Sequence, residues 1–162
     1  MVELAKAAGV TRQTLYNRFK TKEAVLDWAV KGFLNQKQDA IVSELADTDT
    51  PVATCLLNAF SRWVGDDVEV VHRLPYGLQI ADSGLASLKE ENAAFLASLE
   101  REIMNFLVSR NVCGTLDEAR EKTFLLMVVS NGLLLKCRTF SEFQMDMSRS
   151  ISAALSIKPM SN

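Results

Sequence analysis

A chain of 162 residues with 48% apolar and 23% charged side chains has the balance of a soluble globular protein and excludes an intrinsically disordered one. The longest apolar run, residues 124–135, is interrupted by Ser130, Asn131 and Gly132 and falls short of the roughly 20 residues that span a bilayer, so no membrane helix is expected. The net charge of −2 points to no nucleic-acid partner by itself, and Cys55, Cys113 and Cys137, odd in number and far apart, fit neither a disulfide framework nor a metal site.

Apolar residues recur at three- and four-residue spacing and the punctuation is that of helix caps, which predicts an all-α fold. A short first helix runs from Val2 to about Ala8 and stops at Gly9. Thr11 caps a second that reaches about Phe19, and Thr21 caps a third that extends to about Leu45. Residues 1–45 form a head with a connecting helix, and residues 46–162 a body. Thr50-Pro51 opens a helix ending near Gly65. Between Asp66 and Ser83, Pro75 breaks the chain into two short helical pieces. A long amphipathic helix follows Gly84, from about Leu85 to Asn111, with Leu88, Phe95, Leu99, Ile103 and Leu107 near one side and Gly114 as its stop. Thr115-Leu116-Asp117-Glu118 and Ser141-Glu142-Phe143-Gln144 have the form of capping boxes and introduce the last two helices. The tail from Lys158 to Asn162 is expected to fray.

Charge is unevenly spread. Residues 1–37 hold seven lysines and arginines against three acids, a balance of +4, which leaves −6 for the remainder. A basic head on an acidic body suits a protein that meets a phosphate backbone at one end, although a solvated helix face accounts for charge alone just as well.

The informative stretch is residues 4–24, LAKAAGVTRQTLYNRFKTKEA, which reads as helix, turn, helix. Leu4, Ala5 and Ala8 form an inward face, and Leu15 with Phe19 is an i, i+4 pair that packs on them. At about 100° per residue, the side opposite Leu15 and Phe19 is centred on Gln13 and Asn17, with Thr14, Tyr16 and Lys20 beside them. Gln and Asn pair bidentately with adenine in the major groove and Thr contacts bases or the thymine methyl, so this face has reading capacity. A hairpin whose polar side meets only water is the plainer alternative.

The order of a small-residue helix, Gly-Val-Thr, then Thr-Leu-Tyr and Phe, then Lys-Glu-Ala opening the next helix, resembles the second to fourth helices of TetR-family transcriptional regulators. Position by position, the resemblance implies that Gln13, Thr14 and Asn17 face bases, that Thr11, Tyr16 and Lys22 hold phosphates, and that Arg12 does either. The family's first helix, which would precede Val2, has no counterpart in this sequence. Its absence would leave Val2, Leu15, Phe19, Leu26 and Trp28 short of apolar cover and weaken the hold on DNA.

The resemblance further implies a ligand pocket in the middle helices and a dimer interface on the last two. Phe60, Trp63, Val64, His72, Tyr76 and Gln79 offer aromatic walls and polar handles, with Phe95, Met104, Leu107, Met127 and Asn131 opposite; each also reads as ordinary core. For the homodimer interface, Leu126, Val129, Gly132, Leu133, Phe143, Met147, Ile151, Ala154 and Leu155 provide an apolar excess, unless that stripe packs only on the body. With a single histidine, no paired carboxylates at telling spacing and no glycine-rich phosphate loop, neither an enzyme nor a cofactor is expected. MVELAKAAGV lacks the form of a signal peptide, which predicts a cytoplasmic protein. The expected function is a ligand-responsive repressor released from a palindromic double-stranded DNA operator by a small apolar or amphipathic effector. The alternative is a helical ligand-binding or dimerisation module that no longer binds DNA.

Overall fold

A computed structural model describes residues 1–78 and 89–156, without the side chains of residues 89–91, and among the described residues every regular element is a helix. Gln79, Leu88 and the tail from Lys158 to Asn162 lie outside them. Two compact units divide the chain, Met1–Gln36 and Lys37–Asn162, so the division falls within the third helix and before the boundary at residue 45 that the sequence suggested.

The first unit holds α1 (Val2–Ala7), α2 (Arg12–Arg18) and the opening of α3 (Lys22–Ala46). The end of α1 closes as the sequence predicts: Gly9 sits at φ +65, the Val10 N–H donates to the Ala5 carbonyl at 3.0 Å and the Gly9 N–H to that of Lys6 at 3.2 Å. This pair of bonds satisfies carbonyls that the last turn would otherwise leave open, and glycine adopts the required backbone without a Cβ penalty. Thr11 caps α2 by accepting the Thr14 N–H at 3.0 Å, and Thr21 caps α3 by accepting that of Ala24 at 3.1 Å. Ala5 and Leu15 are buried, whereas Val10, Val2, Leu26, Trp28 and Phe33 are exposed.

The second unit comprises the rest of α3, α4 (Val52–Trp63), a 3-10 turn (Gly65–Asp67), α5 (Val68–Arg73), α6 (Lys89–Ser109), α7 (Leu116–Lys136) and α8 (Phe140–Ser156). α8 packs on both α4 and α7, and α7 on α6. The core between them is built from Leu56, Phe60, Val68, Ile103, Leu107, Leu126, Phe143, Met147 and Ile151, each about 1.5–3 kcal/mol more favourable inside than in water. Gly65 permits the closest approach. A Cβ there would lie 2.8 Å from Cδ1 of Phe143.

Polar ties hold α3 and the loops. The Lys37 ammonium donates to the Arg62 and Trp63 carbonyls at 2.9 and 2.8 Å and to Asp67 at 2.6 Å, closing the C-terminal end of α4 where a cation is favoured. Glu44 accepts from Asn58 and Arg62. Arg110 donates to the Asp47 and Thr50 carbonyls at 2.8 and 2.7 Å, which fixes the link between α3 and α4. Lys122, almost wholly buried, donates to the Ala154 carbonyl in the last turn of α8 at 2.9 Å.

Two boundaries differ from the sequence reading. Asn111, at φ +55, ends α6, because its N–H and that of Val112 take up the Val108 and Leu107 carbonyls; Gly114 instead precedes α7 and donates to Glu118. The box at Thr115 closes on the Glu118 N–H as expected. The second box sits two residues earlier than expected, at Thr139, whose hydroxyl accepts the Glu142 N–H while the Glu142 carboxylate accepts those of Arg138 and Thr139; Ser141 is already inside the helix. Pro75 acts as predicted: α5 stops at Arg73 and Leu74 is extended, the backbone that a following proline favours.

Candidate nucleic-acid interface

α2 presents one buried and one open side. Leu15 turns inward, and Thr11, Arg12, Gln13, Thr14, Tyr16 and Asn17 are all exposed, as is Lys22 in the first turn of α3. The structure thus brings six of the seven expected DNA contacts onto one short helix and its cap. Two of the hydroxyls are partly engaged, since Thr11 Oγ1 lies 2.8 Å from Thr14 Oγ1 besides capping the helix. The side chains of Gln13 and Asn17 are joined: Gln13 Nε2 donates to Asn17 Oδ1 at 3.0 Å. What remains outward is an acceptor on Gln13 and donors on Asn17, complementary to the mixed donor and acceptor edge of adenine.

A feature not foreseen in the sequence lies at the end of α2. The Arg18 guanidinium stands 5.5 Å from the Phe19 ring centroid and 5.2 Å from that of Trp28, and the two rings are 5.4 Å apart. Cation–π contact holds Arg18 beside the exposed face and joins the end of α2 to α3. Arg18 and Phe19 are adjacent in sequence, but Trp28 is a turn and two helical turns away, and no short-range pattern announces the stack.

Residues 1–28 match the family model described as bacterial regulatory proteins, tetR family. The head is similar to that of tetR-family regulators. The match covers α1, α2 and the first turns of α3, the elements that display Gln13, Asn17 and Arg18, and it supports a role in transcriptional regulation. Neither a curated protein nor a solved structure was found to match the chain. No helix among the described residues is long and apolar enough to cross a membrane.

Behind this head, the residues expected around a ligand scatter. Phe60, Trp63, Val64, Phe95 and Leu107 are buried core, Met104 and Met127 are half-buried, and Asn131 faces outward on α7. His72 and Tyr76 do line an open cleft of about 300 Å³, together with Val71, Leu74, Gly77, Leu78 and Arg138.

The residues expected at a dimer interface divide in the same way. Leu126, Leu133, Phe143, Met147, Ile151 and Ala154 are buried within the second unit, Val129 and Leu155 are half-buried, and Gly132 is exposed. The buried six are used up by packing among α4, α6, α7 and α8, so a partner would not reach them without unfolding the body. The open apolar side of α7 is the neighbouring one, with Phe124, Leu125, Val128 and Leu135 exposed at helical spacing around Asn131 and Gly132.

Proposed function

We propose that the chain is a ligand-responsive DNA-binding transcriptional regulator, a repressor that α2 seats in the major groove of a palindromic operator. The observation that carries this reading is the exposed, hydrogen-bonded Gln13–Asn17 pair within the tetR-family match, flanked by Arg12, Arg18 and Lys22 for phosphates. Two such heads require a two-fold partner, and the strip Phe124, Val128 and Leu135 offers a homodimer a self-complementary apolar contact with room for close approach at Gly132. A small apolar or amphipathic effector bound in the body weakens operator binding. Selection of binding sites from random duplexes tests the reading: it succeeds if a palindrome is enriched, and it fails if no sequence is.

One observation favours a second reading, a helical ligand-binding or dimerising module without DNA binding. Val2, Leu26 and Trp28 are each more than half exposed on the head, and a head short of apolar cover must be ordered on binding, at about 1–2 kcal/mol per residue fixed. The same selection experiment separates the two.

A further inference from the structure

The cleft of about 300 Å³ joins α5 and the chain after it to the C-terminal end of α7. Its floor is apolar, from Val71, Leu74 and Leu78, and its cation is Arg138. Arg138 is held in place by a short relay. The Leu134 carbonyl can only accept, so His72 Nε2 carries the hydrogen and donates to it at 2.7 Å; Nδ1 is then a lone pair that accepts from the Arg138 Nη1–H. Among the described residues, no carboxylate pairs with the Arg138 guanidinium. The nearby acids are committed elsewhere, Glu142 to the backbone N–H groups of Arg138 and Thr139, and Glu69 to the Phe140 N–H and to Arg73.

The backbone at this cleft is also unusual. Tyr76 sits at φ +60, uncommon for a bulky residue, and such outliers collect at ligand clamps. A Cβ on the next residue, Gly77, would meet the Val71 carbonyl oxygen at 1.9 Å, so only glycine lets the chain close this wall.

We infer that this cleft binds a small organic carboxylate, its anion on Arg138 and a short aliphatic or aromatic body on Val71, Leu74 and Leu78. One pinned guanidinium leaves a planar fork of N–H donors, which matches a carboxylate bidentately, while the apolar floor selects a monoanion with a tail over a bare phosphate. A volume of about 300 Å³ takes roughly ten water-sized groups at about 30 Å³ each. The effector class named here rests on the ligand-responsive reading, but binding itself is measured without DNA.

The test is calorimetric titration of the full chain and of Arg138→Gln with hexanoate and with hexan-1-ol. Hexanoate should bind roughly tenfold or more tightly than hexan-1-ol, and Arg138→Gln should remove that advantage while leaving the alcohol unchanged. Equal affinity for acid and alcohol in the unmodified chain, or a hexanoate affinity that Arg138→Gln does not alter, overturns the inference. Arg138 is exposed, so its loss opens no core cavity, and the acid-to-alcohol comparison needs no variant at all. Site selection on DNA, run on the same preparation, reports separately: enriched palindromes with no carboxylate preference defeat this inference alone, and the converse defeats only the regulator.

Discussion

Gln13 and Asn17 are hydrogen-bonded to each other across one turn of α2, at 3.0 Å, on the side of the helix opposite the buried Leu15. The bond couples the two amides, so removing either frees the other from its fixed orientation. Gln13→Ala and Asn17→Ala should therefore each relax sequence preference at overlapping positions, with about 1–3 kcal/mol of discrimination lost. Lys22→Ala should weaken all duplexes alike and lower the salt slope by about one. Fluorescence anisotropy on selected and random duplexes checks both, and equal losses on the two kinds of DNA for all three variants would refute the assignment.

The head depends on two local devices. Thr11→Ala removes the cap on α2 and should cost about 1 kcal/mol, with Thr11→Ser close to unmodified. Gly9→Ala forces a Cβ into φ +65 and should cost about 1–2 kcal/mol, although open space surrounds the position. Amide exchange over residues 2–20 is the readout. Unchanged protection in both variants would mean that the turn does not rely on these residues.

In the second unit, Gly65→Ala should destabilise by about 1–3 kcal/mol, because the added methyl meets the Phe143 ring at 2.8 Å and that ring is fully buried. Urea unfolding measures it. A variant as stable as the parent would show that Phe143 yields without cost.

Charge placed on two helices separates association from folding. Val128→Asp, on the open strip of α7, should give a folded monomer, whereas Ile151→Asp, at 1% exposure, buries an unpaired carboxylate and should unfold the body. Light scattering with circular dichroism distinguishes the outcomes; a dimer that survives Val128→Asp would move the interface elsewhere.

Acid should loosen the tie between α7 and α8. Asp146 accepts from Lys136 at 2.6 Å, and that bond holds its carboxyl below the usual 3.8. A lowered folded value means that the stabilisation is complete above the ordinary carboxylate range and is lost as pH falls from 3.8 through the folded value. The Tm difference between the parent and Asp146→Asn should shrink over that window. A difference that stays constant with pH would show that the bond does not contribute.

The helical class, the cap at Thr11, the stop at Gly9 and the outward set from Thr11 to Asn17 were legible because each depends on neighbours within a turn or two. What escaped depends on distant partners. Which side of α7 is buried follows from α6 and α8, so the sequence left open whether Leu126 and Leu133 meet a partner or the body; they are buried, and Phe124 and Val128 are exposed. The relay from Leu134 through His72 to Arg138, and the stack of Arg18 on Trp28, join residues that no periodicity relates. Asn111 took the place of Gly114 because asparagine also tolerates the left-handed backbone.

The proposed reading of DNA by α2 is tested most directly by competition binding across salt concentrations. The unmodified chain should prefer its selected palindrome to random duplex by roughly 10³-fold or more at physiological salt, and the affinity for both should fall steeply as salt rises. Equal affinity for the two duplexes, or binding that salt leaves unchanged, would contradict it.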